Sequence, residues 1–353
     1  MSTPKISLLV PIYNVERYLD KCLDSVYRQT FENFEVICIN DGSTDNSRDI
    51  IQKYLNQDHR FLIVDKPNSG YGASMNKGLA TANGEYITIL ESDDYLDENA
   101  FQDLLFTIQK YDVELVKANY YLYWGESSEN NVFKNIEEWH TKRIVNPQIE
   151  QFAFNYSPSI WSAIYRKDFL ERNQIGFLET PGASYQDASF SFKVWVSATK
   201  AVFLEDAFLH YRQDNEASSV NSKDKAFCVC DEYNEMKSYL SARPEKSYLE
   251  AQLINRMVAM YYWNYSRLGS LVKKDFYNRM VFDFLEVNKS DGFELPEILP
   301  HLAKIALEIC ANPDYYYARD TNPGRGFLAS LSHYYRIGGM KLLAQAFRER
   351  FHV

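Results

Sequence analysis

The chain has 353 residues, 46% of them apolar and 24% charged, with a formal net charge of −10. That length predicts two domains, or one domain plus an appendage, and the acidic balance excludes a general nucleic-acid binder, which needs a basic face. The cysteines, Cys22, Cys38, Cys228, Cys230 and Cys310, are odd in number and scattered, which excludes a disulfide framework and a zinc pattern.

The elements follow in chain order. The N-terminal "MSTPKISLLVPIYN" holds one Lys and a broken apolar run, a strand pattern rather than a signal peptide. "ISLLVPI" (6–12) is apolar throughout, as a strand covered on both faces is. In "NVERYLDKCLDSVYRQ", Val15, Tyr18, Leu19, Cys22, Leu23 and Val26 recur at helical spacing, and Asn14 suits the N-cap. "FEVICIN" (34–40) predicts a second strand. "STDNSRDIIQKYL" predicts a helix capped by Ser43 or Asp45, with Ile50, Ile51, Tyr54 and Leu55 inward. "RFLIVD" (60–65) is a third strand, "YGASMNKGLATA" a short helix and "EYITIL" (85–90) a fourth strand. Strands alternating with helices at this spacing predict a parallel, doubly wound sheet.

Past about residue 112 the pattern loosens. "VELVKANYYLYW" reads as a strand and 125–146 as a polar stretch. "SIWSAIYRKDFLERN" (159–173) reads as a strand or turn entering a helix. "PGASYQDASFSFKVWVSA" is a loop entering an amphipathic helix, and "AVFLEDAFLHYRQD" is strand-like. After about residue 220, Leu, Met and Tyr recur at helical spacing. The predicted organisation is one domain over 1–221, in halves 1–111 and 112–221, and a helical domain over 222–353. No run approaches the roughly 18 apolar residues of a spanning helix. A cytoplasmic, reduced setting is therefore expected, with peripheral membrane contact left open.

In an open α/β sheet, ligands sit outside the carboxyl ends of the strands. The residues just past those ends are Tyr13-Asn14, Asp41-Gly42, Lys66-Pro67-Asn68 and Glu91-Ser92-Asp93-Asp94, so four segments are expected to line one crevice. Glu91 and Asp93 can point at one divalent ion. Hard oxygen ligands suit Mg²⁺ or Mn²⁺, which keep waters and bind substrate phosphates. The other reading of the triplet is a solvated turn, or Asp93 or Asp94 capping the helix "YLDENAFQDLLF". Asp41, directly after a buried strand, can accept from a base N–H or a sugar hydroxyl. Asp187 opens a helix, where it can serve as N-cap or as a base. His210 reads as a third metal ligand or as a satisfied structural histidine. "SGYGASMN" lacks the third Gly of a dinucleotide fingerprint.

The segments "SLLVPIYNVERYLDKCLDSVYRQTFENFEVICINDGSTDNS" and "NSGYGASMNKGLATANGEYITILESDD" carry, in order, P-x-Y-N, D-G-S-T-D, N-x-G before a helix, G-E-Y-I and an acidic triplet of the D-x-D kind. This set resembles the N-terminal half of a family 2 glycosyltransferase of the GT-A fold. "WSAIYRKDFL" resembles that family's acceptor-side segment, and "YQDASFSFKVW" its E-D loop and helix. The resemblance implies an α/β GT-A fold, Rossmann-like with a doubly wound, mostly parallel sheet, followed by a mainly helical C-terminal domain. It implies an inverting, metal-dependent transfer of a sugar from a nucleotide-diphospho-sugar, most commonly a UDP-sugar. The acceptor would be a hydroxyl of a glycan or lipid-linked glycan in capsule, lipopolysaccharide or teichoic-type polysaccharide.

The same resemblance assigns residues. Pro11 and Tyr13 would contact the nucleobase, Asp41 would bind it, and Glu91 and Ser92 would lie along the nucleotide. Asp93 would hold the Mn²⁺ or Mg²⁺, with Glu91 beside it, near the ribose or a metal-bound water. Asp187 would be the general base, and Arg212 would lie in a loop closing over the diphosphate. Departures from the family pattern are Glu91 at the first D-x-D position, Asn40 in the turn, Gln186 beside the base, and Met75 where an Arg is frequent. The lost contact at Met75 would fall to Lys66 or Lys77. Two rivals remain: a sugar nucleotidyltransferase, although "PIYNVERYL" has no Gly in the loop after strand one, and a catalytically silent glycan-binding or scaffold protein. Residues 321–353 hold five Lys/Arg and one Glu, a local +4, with Phe327, Leu328, Leu331, Tyr334, Tyr335, Leu342, Leu343 and Phe347 as an apolar side. Such a segment can lie on an anionic membrane or pack as a helix on the catalytic domain.

Overall fold

The computed structural model describes residues 3–125, 131–133, 136–215 and 225–321. The chain divides into two compact units, residues 1–242 and 243–353.

In the first unit β1 (Ile6–Ile12), α1 (Glu16–Tyr27), β2 (Phe34–Asn40), α2 (Ser47–Gln57), β3 (Phe61–Asp65), α3 (Tyr71–Thr81) and β4 (Tyr86–Ile89) alternate as the hydrophobic periodicity predicts. There follow β5 (Tyr95–Leu96), α4 (Ala100–Tyr111), β6 (Leu115–Tyr123), β7 (Asn131–Phe133), β8 (Ile144–Val145), β9 (Ala163–Arg166), α5 (Lys167–Arg172), α6 (Gln186–Ser197), β10 (Ala201–Arg212) and α7 (Cys228–Ser241). One sheet takes the order β3-β2-β1-β4-β9-β6-β10-β5, with β7 on β6 and β8 on β10. The β3-β2-β1-β4 part is parallel, while β9 runs antiparallel between β4 and β6. The doubly wound α/β expectation holds, as a mixed sheet.

β1 and β2 are buried at every position. Each Leu or Ile shielded there contributes about 1.5–3 kcal/mol. Leu19, Cys22, Leu23 and Val26 of α1 add to the same core, which fixes the helix against the sheet. Pairing between β1 and β4 ends at Leu9 and Ile89, while β1 runs on beside β2 to Ile12. The next ladder bond to β4 would need an N–H from residue 11, and Pro11 has none. The two strands therefore part at the point where chain order reverses across the sheet, which is where an α/β crevice opens.

The caps differ from expectation. Asn14 does not cap α1: it adopts φ 49°, and its Oδ1 accepts from the Thr44 N–H at 2.8 Å. The start of α1 is instead capped from the neighbouring loop. Glu16 N–H donates to Asp45 Oδ2 at 3.0 Å, and Glu16 Oε2 accepts from Asn46 N–H at 2.8 Å. Asp45 also accepts from Ser47 N–H at 3.0 Å, so one carboxylate serves the first turns of two helices.

The second unit comprises α8 (Glu250–Arg267), α9 (Ser270–Lys289), α10 (Pro300–Ala311) and α11 (Pro313–Thr321), around buried Tyr261, Tyr265, Phe276, Tyr277 and Phe284. The division falls at Ala242 rather than at the 221/222 boundary the composition suggested, because α7 packs on α6 of the first unit. Among the described residues no helix is long and apolar enough to cross a membrane. The basic tail beyond Thr321 lies outside the described residues.

Candidate active site

The acid cluster that follows β4 is built into the fold at three points. Glu91, half-buried, accepts the Tyr71 hydroxyl at 2.6 Å. Burial pushes its carboxyl up to about 8; the Tyr71 bond opposes the shift, and the charges of Asp93 and Asp187 add to it. Asp93 accepts from the Asn215 amide at 2.7 Å through Oδ2. Asp94 is 1% exposed. It does not cap α4, whose N-cap is Asn99; its Oδ1 accepts the Arg212 backbone N–H at 2.8 Å. Its Oδ2 is buried without a hydrogen-bond partner, and burial beside Asp93 raises its carboxyl well above the usual range. Ser92 is half-buried between these acids.

Tyr71 reaches Glu91 because α3 is fastened to the segment that leads into α6. Tyr71 N–H donates to Gly182 O at 2.9 Å, and Asn76 bonds the backbone of Phe177 in both directions, at 2.8 and 2.9 Å. Gly72 permits the approach: a Cβ there would lie 2.0 Å from Leu178 O. Gln186 ties the same loop by accepting Ser184 N–H at 2.5 Å and donating to Thr180 Oγ1 at 2.9 Å. This places Asp187 in the first turn of α6, and its charge acts on Tyr71, Glu91 and Tyr211. Asp187 is not the N-cap; Tyr185 occupies that position at φ 65°. Every residue of α6 except Asp187 is buried. An amphipathic helix was expected, yet the one side chain left partly open is the carboxylate.

Other sequence-expected residues take different places. Tyr13 is 52% exposed beyond β1, whereas Pro11 is buried in the strand opposite Ile39. Asp41 is buried beneath the next loop, where it pairs with Lys66 and accepts Ser69 N–H at 2.8 Å and Gly70 N–H at 3.0 Å. Lys66 is therefore committed to Asp41, Met75 is fully buried, and Lys77 is exposed. Arg212 is the last residue of β10 rather than part of a loop. Its guanidinium lies 4.2 Å from the Tyr18 ring and 4.6 Å from the Tyr123 ring, and bonds Asp93 O and Asp214 at 3.0 Å each. Its geometry anchors the acid cluster to β10. His210 is structural: it stacks at 4.1 Å on Tyr95 and 4.5 Å on Tyr121, and bonds Asp97 at 2.8 Å.

Among residues the sequence did not single out, Tyr211 lies within reach of the charges of Asp93, Asp94 and Asp187. Trp161, half-buried, packs 4.8 Å from it. These two rings form an aromatic wall beside the acids. The signal for both was only their place in "SIWSA" and "HYRQD". Tyr71 had a better one, sitting between two glycines at a helix start.

The donor set tests a divalent cation. Among the described residues no trio of His, Cys, Asp or Glu forms a ready metal cluster. Two carboxylates, with waters and phosphate oxygens completing the shell, suffice for Mg²⁺-type binding. The crowding of Glu91, Asp93 and Asp94, with one Asp94 oxygen orphaned and two of the carboxyls pushed up by burial and by the neighbouring acids, fits such an ion.

Comparison with known proteins agrees with this geometry. Residues 7–174 match the model of glycosyl transferase family 2. Glycosyltransferase GlyG of Streptococcus pneumoniae is 35% identical over 217 residues, 59% of this chain and 70% of that protein. Poly(ribitol-phosphate) beta-glucosyltransferase of Bacillus spizizenii is 25% identical over 328 residues, 88% of this chain; the chain spans only 49% of that relative's length. Among solved structures, TarS 1–349 of S. aureus in complex with UDP superposes with a TM-score of 0.69 at 21% identity, covering 90% of each chain, which shows the same fold. With the motifs in order, the crevice at the strand ends and the GlyG match all in agreement, the chain belongs to glycosyl transferase family 2.

Proposed function

We propose that this chain transfers a sugar from a nucleotide-diphospho-sugar to a glycan hydroxyl with inversion, in the synthesis of a surface polysaccharide. The observation that carries the reading is the meeting of two sets of carboxylates in one crevice: Glu91 and Asp93 from the end of β4, and Asp187 from the first turn of α6. A single displacement needs two opposite services, charge neutralisation for the departing diphosphate and a base for the incoming hydroxyl.

Asp93, with Glu91 beside it, would hold a Mn²⁺ or Mg²⁺ whose positive charge stabilises the leaving nucleoside diphosphate. Tyr71 holds the Glu91 carboxylate in place, and Arg212 holds the backbone of Asp93. Tyr13 offers an exposed ring for the base. Asp41, whose oxygens already accept from Lys66, Ser69 N–H and Gly70 N–H, would act at the base by holding the turn against which it lies. Pro11 shapes the crevice by ending the β1–β4 ladder, and Ser92 lies along the nucleotide. Asp187 takes the acceptor proton, and Trp161 and Tyr211 provide a face for the acceptor sugar, since aromatic rings suit the apolar faces of sugars.

Uridine as the base is supported by TarS, solved with UDP and with UDP-GlcNAc. A teichoic-type or related polyol-phosphate glycan as acceptor is supported by the poly(ribitol-phosphate) beta-glucosyltransferase likeness. The test is a thermal-shift screen of UDP, GDP and UDP-sugars with and without Mn²⁺, followed by donor hydrolysis. Metal-dependent stabilisation by UDP and release of UDP from one UDP-sugar are the expected results. No binding of any nucleoside diphosphate would sink the reading.

A further inference from the structure

Behind Asp187 lies a second carboxylate that the reaction as described does not use. Glu232 sits in the first half of α7, which packs on α6. It is fully buried, and the group facing it is Ser189 of α6, two residues after Asp187, through its hydroxyl and its backbone N–H. Lys193 of α6, 3% exposed, also acts on it, but is paired at 2.8 Å with Glu235, the next residue along the same face of α7. The other charged groups near this contact are Asp187 of α6, and Asp231 and the half-buried thiol Cys228 of α7, which lies beside Lys225.

A carboxylate so buried, with no salt bridge of its own, is more stable neutral than charged. Ionised Asp187 adds repulsion from the adjacent helix. Burial first, then the charge of Asp187, pushes the Glu232 carboxyl up to about 8, against the opposing influence of Ser189 and Lys193. The helix start, by contrast, favours negative charge on Asp187. The two acids thus stand in unlike environments, one partly open at a helix start, the other enclosed between helices.

We infer that Glu232, enclosed in the α6–α7 contact, holds a proton there, and that its hold on that proton is coupled to the charge on Asp187. Its bearing on the reaction rests on Asp187 being the base, but its test reads proton linkage and not turnover, so the two fail separately.

The sign of the linkage follows from the raised value. Between the unfolded carboxylate value of about 4.5 and the folded value near 8, the folded protein holds a proton that the unfolded chain has lost. Glu232 therefore lowers stability progressively as pH rises through that window. Melting temperatures of wild type, Glu232→Gln, Asp187→Asn and the double variant are measured from pH 5 to 9. Glu232→Gln is expected to gain over wild type by a margin that widens from pH 5 to about 8 and then levels. The same substitution made in Asp187→Asn should give a margin that levels about one pH unit earlier, because the repelling charge is gone. Infrared difference spectra at pH 7, wild type minus Glu232→Gln, should show one protonated carboxyl band, because Glu91 and Asp94 contribute equally to both proteins. A margin constant with pH, a levelling point unmoved by Asp187→Asn, or a difference spectrum without that band would each overturn the inference. Should Asp187→Asn instead retain full turnover while the linkage appears as described, the base assignment fails and the coupling stands.

Discussion

Asp187 and Asp93 have opposite roles in the proposed reaction, although each is an acid at the start of a turn or helix. Asp187→Asn keeps the shape and the N-terminal position on α6 but cannot take a proton. It is expected to bind UDP as wild type does and to lose about 10²- to 10⁴-fold in transfer, measured by UDP release. Asp93→Ala should abolish the Mn²⁺-dependent part of the same signal. A different residue-scale prediction concerns Lys117, 3% exposed in β6, whose ammonium donates to Ser159 and Ser162. Burial lowers its pKa from 10.5 to about 7. Above pH 7 the unfolded chain holds the proton that folded Lys117 has released, so stability rises with pH by up to about 1.4 kcal/mol per unit. Urea unfolding at pH 6 to 9 should show wild type gaining on Lys117→Met above pH 7 and running parallel to it below. A flat difference would show that Lys117 stays charged.

At the scale of elements, the site depends on how α3 meets the loop before α6. That approach is closest at Gly72, where a Cβ would sit 2.0 Å from a backbone oxygen that cannot swing away. Gly72→Ala is expected to cost about 1–3 kcal/mol in urea unfolding. It should also weaken the hold of Tyr71 on Glu91, raising the KM for the donor more than Asn76→Ala does. At the other end of the sheet, the G-E-Y-I motif is structural: Gly84 N–H donates to Ser7 Oγ at 2.8 Å, which in turn donates to buried Glu35 at 2.6 Å. Helix and strand existence was readable from periodicity, whereas the caps were not. Asn14 looks like the N-cap of α1 in one dimension, yet Asp45 from the next loop reaches that helix first.

At the scale of the whole molecule, every candidate site residue lies in the first unit, which also contains its own sheet and core. Residues 1–242 expressed alone should unfold in one cooperative transition and keep UDP binding. Loss of binding in a folded fragment would assign part of the site to residues beyond 242. The sequence by itself determined the alternation of strands and helices, the family motifs and the acids at the end of β4, because hydrophobic period and turn chemistry are local properties of the chain. It did not determine which acid does what. Arg212, read as a loop cation, is an anchor between two tyrosines; Asp41, read as a base ligand, also ties down a turn; Pro11 acts by the N–H it lacks. Nor did it show Glu232, because a Glu in a helical stretch, here between Asp231 and Glu235, is ordinarily solvated. Only the packing of α7 on α6 buries that carboxyl behind Asp187, where a low dielectric and a neighbouring charge turn an ordinary acid into a proton-holding one.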